Sequence, residues 1–299
     1  MRNTLRFWVI FFVTLSFNSF CFALPSPLPS DFLTFSSAYP DVTFEISYDS
    51  EYSDWKIDVT IPRPSGEPSK ARFYWADGAM LPQTELESRE KYWSLLYHYP
   101  KTLVDPAKLS SEEAAALKNF GSSDNRKNDA GTPMFFFDTL YDSVTRANLE
   151  KRIVKTTFLG HSSNVHERIV QPLKRVENRI RQVAKTDSEV KNFMENVKST
   201  DAYYWRIISG TNRKSFHSLG IAIDILPKSL GGKEIYWSWT KDKDPENWML
   251  TPLSRRWSPP SEVIRIFEEE GFIWGGKWGI FDNMHFEYHP ELIKYNFKD

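Results

Sequence analysis

The chain has six histidines, and two of them, His217 and His285, stand among residues that can do chemistry together. In Ser215-Phe216-His217-Ser218-Leu219-Gly220-Ile221-Ala222-Ile223-Asp224, the residues after Gly220 alternate isoleucine with a small or acidic residue. Successive side chains of a strand point to opposite faces. Ile221, Ile223 and Ile225 therefore go to the core, and Asp224 projects from the other face beside Ala222, which leaves it room. Gly220 permits a sharp turn into the strand, so His217 can fold back towards Asp224. In Asp282-Asn283-Met284-His285-Phe286-Glu287, Met284 and Phe286 face the core while His285 and Glu287 share the open face. Two histidines and a carboxylate form a zinc ligand set. Three protein ligands leave a fourth position for water, whose pKa the metal brings to about 7. Asp282, three residues before His285, is placed to take that water's proton. Glu287 reads either as the partner that orients a ligand histidine or as a structural ion-pair residue.

Each feature is ordinary alone. A lone histidine is more often a surface or satisfied core residue, an isoleucine strand is ordinary core, and Asp-Asn suits turns. The pairing of two strand-borne histidine motifs, each with a placed carboxylate, carries the reading. The pattern Ser-x-His-x-x-Gly-x-Ala-x-Asp, followed by Asp-x-x-His-Phe-Glu, resembles the M15 metallopeptidases, which are D-alanyl-D-alanine carboxypeptidases and L-alanyl-D-glutamate endopeptidases of peptidoglycan metabolism. Trp205-Arg206-Ile207-Ile208-Ser209-Gly210-Thr211 and Gly271-Phe272-Ile273-Trp274-Gly275-Gly276-Lys277-Trp278 add to the likeness, which covers about residues 165 to 297. The Trp-Gly-Gly-x-Trp run is closer to the endopeptidase branch.

The resemblance implies zinc on His217, Asp224 and His285, with Asp282 as the base. It also implies an upstream arginine that holds the substrate carbonyl or carboxylate: Arg206, with Arg213 as the alternative. Ser215 matches a serine that contacts substrate, or else closes the turn with a hydrogen bond, and Trp278 is a further substrate-side candidate. The implied activity is hydrolysis of an amide bond in peptidoglycan stem peptides. Two competing readings are a non-catalytic zinc-containing module that grips the cell wall or a partner protein, and a structural envelope protein. A retained base at Asp282 speaks for the enzyme.

The elements that must position these residues follow from periodicity. Phe44, Ile46 and Tyr48, then Trp55, Ile57, Val59 and Ile61, alternate as strands do. Ser110-Ser111-Glu112-Glu113 starts a helix, and residues 121–131 read as a polar loop. Ile169, Leu173, Val176, Ile180 and Val183 make one helical stripe. Asp187 caps a second helix that turns Val190, Phe193, Met194 and Val197 inward, and 203–209 has strand character. The tryptophans of 229–262 (Trp237, Trp239, Trp248, Trp257) read as an aromatic-packed loop or a cleft wall. Pro259 to Glu262 opens a helix that stops at Gly271. His289 reads as a surface residue. The expected class is α+β: helices packed on a small, mostly antiparallel sheet carrying the zinc site, like hedgehog and D-alanyl-D-alanine peptidase domains, with an N-terminal extension.

Composition narrows the class. In 299 residues, 40% hydrophobic and 15% aromatic content is enough for a packed core. A net charge of −1, with no long basic run, argues against nucleic acid as a partner. Arg2 and Arg6 precede an apolar run from Phe7 to Ala23, which reads as a secretory signal cleaved after Ala23 or as an uncleaved anchor. Phe20 before Cys21 argues against a lipoprotein signal. Cleavage leaves a mature chain without cysteine and with no second membrane span. The expected organisation is a signal peptide at 1–23, an extension of unassigned role at 24–160 and a peptidase domain at 161–299. The expected location is secreted, periplasmic or in the cell envelope, with peptidoglycan peptides as partners.

Overall fold

Helix α1 (Phe32–Ala38) buries Phe32 and Phe35 against a three-stranded antiparallel sheet, β1 (Thr43–Asp49), β2 (Asp54–Ile61) and β3 (Ser69–Tyr74). The alternation in β2 leaves Ile57, Val59 and Ile61 buried, as the pattern predicts. The computed structural model describes residues 28–64 and 66–297, so the expected export segment and Cys21 lie outside the described residues. Helix α2 (Ser111–Phe120) begins at a full capping box between Ser110 and Glu113. The expected polar loop after it contains a short helix, α3 (Ser123–Asn128), because Ser122 caps the Asn125 amide. Helices α4 (Phe135–Leu140) and α5 (Arg146–Glu150) lead to a hairpin of β4 (Ile153–Phe158) and β5 (His161–His166).

The periodic stripe becomes α6 (Val170–Val183), and Asp187 caps α7 (Ser188–Glu195) through the Glu189 and Val190 amides. A four-stranded antiparallel sheet follows, ordered β6-β7-β9-β8: β6 (Val197–Asp201), β7 (Ala222–Pro227), β8 (Phe272–Trp274) and β9 (His285–Tyr288). Helix α8 (Trp237–Lys243) lies in the tryptophan-rich segment, α9 (Ser261–Glu269) packs on β8, and α10 (Pro290–Asn296) packs on α1. Residues 203–209, expected as strand, pair only at one bridge, Ile207 with Lys214. The ladder beyond β6 is broken because Tyr204 bonds to His217 and the Arg206 amide to a side chain, Ser218.

The register of the sheet is held by its buried face. Ile223, Ile225 and Phe286 are fully buried, and Phe286 stacks on Phe267 with ring centres 3.9 Å apart. Each such side chain contributes about 1.5–3 kcal/mol by burial. A one-residue slip would exchange the faces and put Asp224 and His285 into the core. One apolar cluster joins Phe32, Phe35, Tyr99 and Phe136 to Leu173, Ile223, Phe286 and Leu292, so both halves of the chain share a core.

Candidate metal and catalytic centre

Strand pairing sets Asp224 directly opposite His285 and Ala222 opposite Glu287. The small Ala222 leaves the space that the Glu287 carboxylate uses. His217 reaches the same point from a single helical turn, residues 216–219, ended by Gly220 at φ +69°. That conformation suits glycine, and a Cβ there would stand 2.6 Å from Ile153 Cδ1 and 2.8 Å from the His166 amide nitrogen. Chain β5 and the turn are thus pressed together at Gly220, and the turn aims His217 at Asp224.

Three side chains converge. His217 Nε2 lies 3.2 Å from His285 Nδ1 and 3.3 Å from Asp224 Oδ2, and His285 Nδ1 lies 2.8 Å from Asp224 Oδ1. Tetrahedral bonds of about 2.0–2.1 Å put their donor atoms roughly 3.3 Å apart, close to the 3.2 Å between the two ring nitrogens, and Asp224 offers an oxygen to each, so the cluster could hold one metal ion. The outer nitrogens are held from behind. His217 Nδ1 is 2.6 Å from the Ala202 carbonyl, which accepts its proton, and His285 Nε2 is 2.8 Å from Glu287 Oε1. Both arrangements leave the inner nitrogen with its lone pair towards the centre. Two nitrogens and one carboxylate are a donor set that suits zinc among divalent ions.

The charges answer to this packing. Burial works against the His285 cation, but hydrogen bonds with Asp224 and Glu287 outweigh it and raise its pKa well above 6.5. Burial would raise the Asp224 carboxyl, yet His217 and His285 hold it below its ordinary range. Glu287 is likewise brought down to about 2 by His285 and His289 against the effect of burial.

Asp282 is half-buried, and its Oδ1 is enclosed without a hydrogen-bond partner. Burial pushes its pKa up from 3.8 to about 7. His285 and Arg206 counter that rise, and Asp224 and Glu287 add to it. Its backbone is fixed from two sides. The Asp282 amide donates to Gly275 at 3.0 Å, and Tyr236 pairs with Asp282 as an isolated bridge. A Cβ on Gly275 would stand 2.6 Å from the Asp282 carbonyl, so the Trp-Gly-Gly-x-Trp run permits this approach. Trp278 from the same run lies over His285 with ring centres 5.6 Å apart.

A cleft of about 400 Å³ opens onto His217 and Asp224, and Arg206 lines it. Ser218, which sequence reasoning passed over, holds the arginine's segment: its hydroxyl accepts from the Arg206 amide at 2.8 Å and donates to the Arg206 carbonyl. Its position one residue after His217 was the available signal. Arg213 lies elsewhere, over the Trp93 ring at 5.2 Å, donating to the Ala130 and Arg126 carbonyls. Ser215 is buried and accepts from the His217 amide at 3.3 Å, the turn-closing bond. Of the tryptophans in 229–262, Trp237 and Trp248 are buried with Met249 and Phe281, as an aromatic-packed loop requires, and Trp239 is half-exposed.

His289 corrects an expectation. It is 3% exposed, with its Nδ1 2.6 Å from Glu291 Oε1 and its ring edge-on to Phe137 and Phe216. Burial lowers its pKa, but Glu291 and Glu287 more than reverse that and raise it to about 9. It lies one residue beyond β9, where alternation no longer indicates which way a side chain points.

Among known families, the model described as D-alanyl-D-alanine carboxypeptidase, of the M15 peptidases, matches residues 209–288. A second, described as a domain of unknown function (DUF8518), matches residues 32–97. No curated protein and no solved structure matches the chain. His217, Asp224, Asp282, His285 and Glu287 all fall inside the first matched segment, so the part of the chain that carries the cluster is similar to the M15 peptidases.

Proposed function

We propose that the protein is a zinc-dependent peptidase that hydrolyses an amide bond in peptidoglycan stem peptides, as an L-alanyl-D-glutamate endopeptidase or a D-alanyl-D-alanine carboxypeptidase. The observation that carries the reading is the convergence of three metal-ligating side chains, together with an enclosed, unpartnered oxygen of Asp282, whose carboxyl feels the charges of His285 and Asp224, on the segment leading into β9. His217, Asp224 and His285 hold the metal. When bound, zinc supplies a Lewis acid that polarises a carbonyl and acidifies water.

The chain's own groups do the rest. The Asp282 carboxylate takes a proton from the attacking water and returns it to the leaving amine. Burial raises the Asp282 carboxyl towards neutrality, which favours proton exchange near neutral pH over a permanently ionised carboxylate. The Arg206 guanidinium, in the cleft, pairs with negative charge that develops on the carbonyl oxygen. Glu287 holds His285 by its outer nitrogen, which keeps the inner one free. A binding module that only gripped its ligand would give no work to an enclosed carboxylate without a partner.

Export to the cell envelope goes with this substrate. Among the described residues, no helix is long and apolar enough to cross a membrane. The test is mass analysis of products from defined stem peptides, with zinc and with chelator. The expected result is loss of terminal alanine, or a cut after the first residue, abolished by chelator. A folded, zinc-loaded protein that binds these peptides and leaves them intact would show the non-catalytic reading to be right.

A further inference from the structure

Behind the metal ligand His285, a row of buried polar groups runs away from the cleft and ends on the N-terminal helix. His285 Nε2 meets Glu287 Oε1 at 2.8 Å, and Glu287 Oε2 stands 3.3 Å from His289 Nε2, an ion-pair contact. His289 Nδ1 meets Glu291 Oε1 at 2.6 Å, and Glu291 Oε2 accepts from the Tyr39 hydroxyl. His289 and Tyr39 are each 3% exposed and Glu291 is fully buried. The peptidase reading uses none of Tyr39, His289 and Glu291.

Burying two carboxylates is costly unless each is paired. The row meets that requirement by alternation: carboxylate, imidazole, carboxylate, phenol. His289 is hydrogen-bonded to Glu291 through Nδ1, whereas its Nε2 makes no hydrogen bond and faces Glu287 only as the 3.3 Å ion-pair contact. Every group is also held sterically. His289 is wedged edge-on against Phe216, with ring centres 4.6 Å apart, and Phe216 immediately precedes the ligand His217. Glu291 lies in the first turn of α10, and α10 packs on α1, whose C-terminal cap is Tyr39. A shift of Tyr39 would free one oxygen of Glu291, loosen His289, and leave Glu287 less fixed against His285.

We propose that Tyr39, Glu291 and His289 are positioning residues for the metal centre, through which the N-terminal region sets the orientation of His285 and hence metal affinity. The proposal rests on the metal-centre reading above. It gives the segment around Tyr39, inside the matched domain of unknown function, a role in the centre by way of Glu291, 252 residues further along.

The experiment uses the full chain loaded with Co²⁺, read by its visible spectrum and by competition with a chelator. Partners behind a metal ligand are worth about 10–100-fold in metal affinity. Glu291→Gln is expected to weaken Co²⁺ binding about tenfold and shift the visible bands. Tyr39→Phe is expected to weaken it less, in the same direction, and keeps the fold accessible if Glu291→Gln does not fold. Tyr99→Phe is the control: it removes a buried phenol that bonds Glu268 and the Trp274 amide, outside the row. It is expected to change stability and leave the Co²⁺ spectrum and affinity unchanged. Wild-type affinity and spectrum in folded Tyr39→Phe and Glu291→Gln overturn the proposal alone. A wild-type protein that binds no Co²⁺ overturns the metal reading and this proposal with it.

Discussion

Replacing Asp282 with asparagine should abolish hydrolysis and stabilise the metal-free protein, and the two effects have one cause. Asp282 carries a carboxylate whose Oδ1 finds no partner, with Asp224 and Glu287 nearby. The native state holds its proton up to about pH 7, whereas the group titrates at 3.8 when unconstrained. Between these values the folded protein binds more protons than the unfolded one, so stability falls as pH rises through that window. The difference of about three pH units corresponds to roughly 4 kcal/mol at 1.36 kcal/mol per unit. The group keeps partial solvent contact, which screens some of this, so about 1–3 kcal/mol is expected. An asparagine side chain carries no charge to desolvate, so Asp282→Asn should gain about 1–3 kcal/mol over wild type at pH 8 and gain little at pH 4. Its hydrolysis of stem peptides should fall by about 10²–10⁴, the usual worth of a general acid–base group. Denaturant unfolding at the two pH values, in chelator, measures the first effect; product formation by the zinc-loaded variant measures the second. Wild-type hydrolysis by Asp282→Asn, or a loss of stability at pH 8, would refute the assignment.

Two further outcomes bear on the geometry. Gly220→Ala places a methyl group 2.6 Å from Ile153 Cδ1 in a left-handed conformation, so it should cost roughly 2–3 kcal/mol, where the same change at a compatible glycine stabilises by about 0.4–1 kcal/mol, and weaken metal binding because the turn aims His217. Thermal unfolding and chelator competition check both. Arg206→Ala should lower kcat about 10²–10³-fold with metal content unchanged, since it removes a donor from a developing negative charge. The same change at Arg213, which is bonded to the Ala130 and Arg126 carbonyls outside the cleft, should act on stability and leave kcat near wild type.

Much of the centre was open to reading from local pattern. Alternation about Ile221, Ile223 and Ile225 placed Asp224 on the open face, and the same rule put Met284 and Phe286 opposite His285 and Glu287. Both rules operate within about ten residues, and burial of the isoleucines and Phe286 enforces them. Helix starts at Ser110 and Asp187 were likewise visible, because a cap is a bond between near neighbours. The strand expected over 203–209 failed for the opposite reason. Its backbone groups are met by the Ser218 side chain and by His217, partners that strand propensity does not contain.

Residue types, their spacing and the two faces of the strands that bear the candidate ligands were legible along the chain, since these follow from a period of two. Packing between distant segments settles that Arg206 and not Arg213 lines the cleft, that Asp282 has an oxygen without a partner, and that His289 is buried between Glu287 and Glu291 with Tyr39 behind. Those facts depend on contacts between segments up to 252 residues apart. No local period records such contacts, because they are created by packing helices and sheets around a shared core, which fixes a side chain's surroundings only after the chain has closed on itself.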